Sequence, residues 1–427
     1  MRTLYGFLLS ALLVAVFIVS YKRNRDIFSP LCIMSIIQFL RYVPHIFNCD
    51  YEHSTVLTFE NIEITFLYEC LFILSVLFGY YFISRISVAR RKMYVGKTVG
   101  EIRLGTILFI YLIGFASRVY IIMKIGGLTY VINNMSASYR DYSSISGYIS
   151  ALGNLMTLAI IMYIERCSKR PCSKVLLFSM VLFAMASYLI YSSRSPALEL
   201  LMITIFAYHY LVQKINMRSL LQPKYLIIGI LTVSIVSMMP ILRNASNNNQ
   251  LRIDKEFSVG NSFNSIFNEF SYVGRDTFVY SYFDVNNLWY GKTFLNTFVG
   301  FIPRQLYSNK PSLDDGNYLN NLMNGYFVSP NDPFDSLPVK TSVPFSTSSS
   351  MYANFGLIGI VFGGMLLGVL YKKAYVHLKR NATGMSVILY QLVVYQLELS
   401  ALSISQTLIP LVVIGIVYKT AFRRLAI

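Results

Sequence analysis

The chain has 427 residues, of which 55% are hydrophobic and 13% charged, with a mean hydropathy of +0.52 and a formal net charge of +17. Soluble domains carry about 25% charged residues, and apolar runs near the ~20 residues that cross a bilayer recur here from end to end. A soluble globular protein is therefore excluded, and an all-α polytopic integral membrane protein is expected.

Taken in chain order, apolar spans are predicted at 4–20, 27–47, 62–84, 104–123, 147–164, 175–191, 197–213, 224–242, 355–371, 384–398 and 405–419, about eleven in all. Span 1 reads as a retained helix rather than a signal peptide, because its charges ("YKRNR", 21–25) follow the apolar stretch and no small-residue cleavage site precedes them. The connections after spans 1, 3, 5, 7 and 9, together with the C-terminal tail and the boundary residues Lys224 and Lys419, hold 23 Lys and Arg but only three acids, Asp26, Glu101 and Glu165. The remainder holds 14 bases and 17 acids. This is the positive-inside pattern, which places the N-terminus outside and the C-terminus in the cytoplasm. The basicity thus sets orientation, and no nucleic-acid partner is needed to explain it.

Three parts follow: helices 1–8 over 1–242, a large extracytoplasmic loop over 243–350, and helices 9–11 over 351–427. The loop opens on "NASNNNQ" (244–250) yet carries half-apolar stretches such as "SFNSIFNEFSYV" (262–273) and "TFLNTFVGFI" (293–302). Structureless loops of that length are uncommon, so short interfacial helices and turns are expected. In span 9, "YANFGLIGIVFGGMLLG" (352–368), Gly359 with Gly363 and Gly364 with Gly368 form G-x-x-x-G pairs suited to close helix packing.

No Walker A loop, G-x-G-x-x-G or G-x-S-x-G occurs. The four histidines and five cysteines have no metal-ligand spacing. Neither a cofactor nor a metal is expected. What stands out is cations on the predicted outer side, where the positive-inside pattern predicts depletion. Arg118 lies within span 4, Arg140 in the second outside loop, and Arg194 in the tight turn "YSSRSP". Arg243 ends span 8, and Arg275, Arg304 and Lys310 lie in the long loop, the last two beside Pro303 and Pro311. Arginine's planar fork suits phosphate, and stiffened turns favour a fixed geometry. Arg41, near the end of span 2, and Arg243 are read as snorkelling to the headgroups. The candidate catalytic acids are Glu269, Asp276 and Asp314. Pairing with a neighbouring arginine is favoured for Asp276, beside Arg275, and for Glu199, near Arg194; for the other acids, base and ion-pair roles stay open. Cations at headgroup level suit a lipid-linked anion, and preplaced arginines would stabilise the charge that develops as a glycosyl bond to pyrophosphate breaks.

"GKTFLNTFVGFIPRQLYSNKP" (291–311) resembles the segment of bacterial oligosaccharide repeat-unit polymerases (O-antigen polymerases of the Wzy type) that runs from G-x-T-Y/F to Pro-Arg and Lys-Pro. "SMYANFGLIGIVFGGMLLG" (350–368) resembles the following helix of that family, read there as Glu-x-Tyr-x-Asn-Phe-Gly. "GGLTYVINNMSASYR" (126–140) is similar to its Gly-Gly-Leu loop, and "SSRSPALELLMI" (192–203) to its Arg-containing turn. These matches keep their order over most of 104–370. Ser350, followed by Met351, stands where the family commonly has glutamate, so that role is missing here or taken by another acid.

The resemblance implies a class-C-like glycosyltransferase of the bacterial cytoplasmic (inner) membrane. Such an enzyme moves a growing glycan from one undecaprenyl pyrophosphate to the non-reducing end of a repeat unit on another, giving O-antigen or capsule. Donor, acceptor and membrane lipid are the implied partners, with room for a chain-length regulator and a flippase. It supports Arg140, Arg194, Arg304 and Lys310 more than any general base. The rivals are an O-antigen ligase, expected to carry a histidine in a loop that has none here, and a flippase or exporter of the same lipid-linked oligosaccharide.

Overall fold

The computed structural model of the protein describes residues 4–47, 58–83, 103–134, 149, 152–190, 194–220, 222, 271–299, 302, 306–307 and 309–423. These residues are helical with turns; no β-strand occurs among them, and one isolated bridge pairs Pro311 with Pro333. The helices are α1 Leu4–Asn24, α2 Pro30–Phe47, α3 Phe59–Phe78, α4 Leu104–Ile125, α5 Gly127–Asn133, α6 Leu155–Cys167, α7 Lys174–Leu189 and α8 Arg194–Ala207. They continue as α9 Met217–Leu220, α10 Val273–Tyr282, α11 Lys292–Val299, α12 Asp315–Met323, α13 Thr347–Asn381, α14 Gly384–Gln391 and α15 Ala401–Arg423.

Start signals are visible where polar residues precede the apolar runs. Thr58 accepts a bond from Asn61 N at the head of α3, Ser173 from Leu176 N at α7, and Asp314 from Gly316 N at α12. Among the described residues, four helices are long and apolar enough to cross a membrane: α1, α3 extended to Ile83 by a wide turn, α4, and α13. Five shorter apolar helices accompany them. The described parts of ten of the eleven predicted spans are mainly helical, and 224–242 lies outside the described residues. The all-α expectation therefore holds. Within the long segment, the described part contains the short helices α10, α11 and α12.

One boundary differs. Span 9 was expected to start at 355, but α13 begins at Thr347 and is broken at Gly356, whose φ of 62° and ψ of −151° are open only to glycine. A short polar arm, 347–355, thus precedes the apolar run. The glycine pairs then face two partners. A Cβ at Gly359 would come within 2.1 Å of Met351 O, and one at Gly363 within 2.6 Å of the Met351 side chain, so this pair packs on the arm. A Cβ at Gly368 would come within 2.1 Å of Val76 O, and one at Gly364 within 2.7 Å of Ser75, so this pair packs on α3. The close-packing reading of both motifs is borne out.

The chain divides into two compact units. The first comprises Met1–Lys92, Ser265–Val376 and Leu392–Leu408; the second comprises Met93–Asn264, His377–Gln391 and Ile409–Ile427. In the first, α1 packs on α2 and α3, and α10 lies against α3. In the second, α4 packs on α6, and α8 on α7, α6 and α14. Glu165 ties the second unit by accepting from Gly384 N at 2.9 Å and from the Tyr418 hydroxyl at 2.9 Å.

Candidate functional site

The first unit holds a buried polar network where α2, α3, α10 and the arm of α13 meet. Asp276, in the first turn of α10, accepts from the Tyr42 hydroxyl of α2 at 2.5 Å and from Ser346 Oγ at 3.1 Å. Ser346 Oγ lies 2.9 Å from Ser348 Oγ, and Ser348 donates to Oε1 of Glu69 on α3. The Tyr280 hydroxyl, one turn beyond Asp276, donates to the same oxygen at 3.0 Å. Two carboxylates are thus joined through two serine hydroxyls and closed at each end by a phenol. Ser349 joins at 2.8 Å from Ser346, and Thr65 pairs with Thr277 at 2.9 Å, pinning α3 to α10. Glu69, Asp276, Tyr42, Ser346 and Ser349 are fully buried. Glu69 Oε2 and the Ser350 hydroxyl are buried without a hydrogen-bond partner among the described residues.

Burial pushes the Asp276 carboxyl above its usual range, against the bonds from Tyr42 and the serines and the nearby Arg275 charge. Two like charges in one buried network repel, so the network is most stable holding a proton. A carboxylate chain of this kind can accept a proton from a hydroxyl and pass it inward.

Beside it lies a cation group. The Arg41 guanidinium stands 4.2 Å from the centre of the Tyr272 ring and that of Arg275 stands 4.0 Å from it, so one phenol carries two cations. Arg41 is ion-paired with Glu398 rather than reaching outward alone, which corrects the snorkelling expectation. Arg275 donates to the carbonyls of Ser271 at 2.8 Å and Pro344 at 3.4 Å. Its expected pairing with Asp276 does not form: consecutive helix residues point in different directions, and the Asp276 oxygens are taken by hydroxyls.

The other sequence-predicted residues are distributed as follows. Asp314 caps α12, accepting from Gly316 N at 3.0 Å and from Ser342 Oγ at 2.8 Å. Its buried neighbour Asp315 accepts from Ala401 N, the first residue of α15, at 3.3 Å; burial and Asp314 push its carboxyl up to about 7. Lys310 is buried, and its ammonium donates to Ile302 O at 2.9 Å, closing its own loop. Arg118 belongs to the second unit, where it is 3% exposed, packed on Gly153 and 4.6 Å from the Tyr188 ring centre, inside the helices as expected. Arg194 opens α8. Arg140, Arg243, Glu269 and Arg304 lie outside the described residues. Of the sequence candidates, the structure brings Asp276 and Arg275 into one site.

The residues that sequence reasoning missed are Glu69, Tyr42 and the serines of "FSTSSS" (345–350). Glu69 left a signal, since an acid deep inside an apolar helix is costly and asks for a reason. The serine run gave none, because hydroxyls are cheap anywhere. Comparison with models of known families, with characterised proteins and with solved structures finds no match to this chain.

Proposed function

We propose that the chain is a multi-pass glycosyltransferase of the bacterial inner membrane that polymerises undecaprenyl-pyrophosphate-linked repeat units at its outer face, with eleven spans and the 243–350 segment outside. The observation that carries the reading is the juxtaposition, in one unit, of the buried Glu69–Asp276 network and the Arg41–Tyr272–Arg275 cation group. The quoted resemblances along 126–368 support it, and Glu69 meets the arm of α13 near the place where the family carries its glutamate.

In the proposed reaction a hydroxyl oxygen of the acceptor sugar attacks the anomeric carbon of the donor glycan. Its proton passes to the carboxylate network, the carbon–oxygen bond to pyrophosphate breaks, and undecaprenyl pyrophosphate leaves with the bonding electron pair. Arginines beside the network stabilise the charge that develops on the leaving group. Arg304, Arg140 and Arg194 remain proposed ligands of the two pyrophosphates.

The test is the length distribution of the surface glycan in the host after deletion of this gene, with wild-type and Glu69→Gln chains returned. Loss of the long ladder with a single repeat unit still on its acceptor supports a polymerase. Glu69→Gln, which keeps shape but cannot take the proton, is expected to lower polymerisation by on the order of 10²–10⁴. Long chains retained on the lipid carrier would mean a ligase, single units trapped inside would mean a flippase, and an unchanged ladder would sink the reading.

A further inference from the structure

Next to the carboxylate network stands an aromatic group that the proposed chemistry does not use. Tyr68 on α3 and Tyr352 on the arm of α13 have ring centres 5.6 Å apart and planes tilted by 33°. Both are half-buried. Tyr280 meets each of them edge-on, at 5.1 Å and 81° to Tyr68 and at 5.0 Å and 87° to Tyr352. The Tyr280 hydroxyl is the one bonded to Glu69. Two half-buried rings are therefore braced by a third ring, whose phenol is in turn fixed by a buried acid.

Exposed Asp284 lies within electrostatic reach of Tyr352. Its Oδ1 is held by the backbone N–H groups of Asn286 at 2.8 Å and Asn287 at 3.2 Å, which fixes the carboxylate in place. Ring faces carry negative charge density and draw weakly positive C–H groups, and a fixed carboxylate draws hydroxyl protons. A sugar ring offers both on one small body, C–H groups on its face and hydroxyls on its edge. A hydrocarbon chain offers only the first, and a phosphate is repelled by Asp284.

We propose that Tyr68 and Tyr352 form a stacking wall for one sugar ring of the glycan substrate, with Asp284 at its edge accepting a hydroxyl. The inference rests on the polymerase reading for which glycan is bound, and places that sugar next to the network that would take its proton.

The chain carries a single tryptophan, Trp289, whose backbone N–H donates to Ala353 O at 2.9 Å beside Tyr352. Its emission therefore reports on the wall in the full-length protein in detergent. The probes are lipid-free oligosaccharides of one and two repeat units released from the host's own surface glycan, with inorganic pyrophosphate as a sugar-free control. A saturable change with oligosaccharide is expected. Tyr352→Ala and Tyr68→Ala should weaken it by about tenfold or more, whereas Tyr352→Phe and Tyr68→Phe, which keep the ring faces, should bind as wild type does. The Phe variants, which keep the packing on Tyr280, guard against misfolding.

No saturable response, Ala variants that bind as wild type does, or a response to added lipid that oligosaccharide does not alter would each overturn the wall. Saturable binding with an unchanged ladder in the deletion strain would keep the wall and sink the polymerase. A shortened ladder on deletion, restored in full by both Ala variants, would do the reverse.

Discussion

A fully buried carboxylate persists only where its lone pairs are filled or its charge is shared, and this chain uses both solutions. Asp276 and Glu69 take hydroxyl donors and share one network. Because burial raises Asp276, the proposed activity is expected to rise with pH through a value above the usual carboxylate range. Asp276→Asn should remove or shift that limb, which a pH–rate profile on purified protein would read. Asp315 solves the problem differently, by capping α15. With its folded value pushed up to about 7, the unfolded chain releases this proton first as pH rises. Asp315 therefore lowers stability progressively from pH ~4 to about 7, with the full penalty present above that window. Thermal melts should show that decline in the wild type and a flatter profile in Asp315→Asn.

At the scale of elements, the decisive feature is the break in α13. Gly356 turns the chain so that the arm 347–355 folds beside its own helix, bringing Ser348 and Tyr352 to α3 and α10. Gly356→Ala is expected to cost about 1–3 kcal/mol and to reduce activity more than stability, since the serines move with the arm. Gly368→Ala drives a methyl group into the backbone of α3 and should destabilise by about 1–3 kcal/mol. Gly105→Ala, where a Cβ meets nothing within 4 Å, should stay within ~0.5 kcal/mol of wild type. Differential melts of the three variants would check the order. The span-9 glycine spacing announced close packing. The break itself was not legible, because nothing in "NFG" distinguishes a glycine inside a helix from one that ends it.

For the whole molecule, the distribution of Lys and Arg predicts which ends of the helices face the cytoplasm. A membrane-impermeant thiol reagent on intact cells should label Cys49, in the predicted outside connection between spans 2 and 3, and leave Cys167 and Cys172, in the predicted cytoplasmic connection between spans 5 and 6, unlabelled until the membrane is opened; labelling of the latter pair from outside would overturn the orientation. Length, hydropathy and charge pattern were enough to fix an all-α chain of apolar helices and to find most of their positions, because burial in lipid imposes a long, local and repetitive requirement on sequence. The buried carboxylate network is of another kind. Tyr42, Glu69, Asp276 and Ser346 are separated by up to 304 positions and carry no shared spacing. Sequence reasoning reached Asp276 through its neighbour Arg275, yet assigned it the wrong partner. Only the tertiary packing of α2, α3, α10 and the arm decided that these acids would meet one another and not an arginine, since a hydrogen-bonded network is set by which helix faces touch, and local sequence does not encode that.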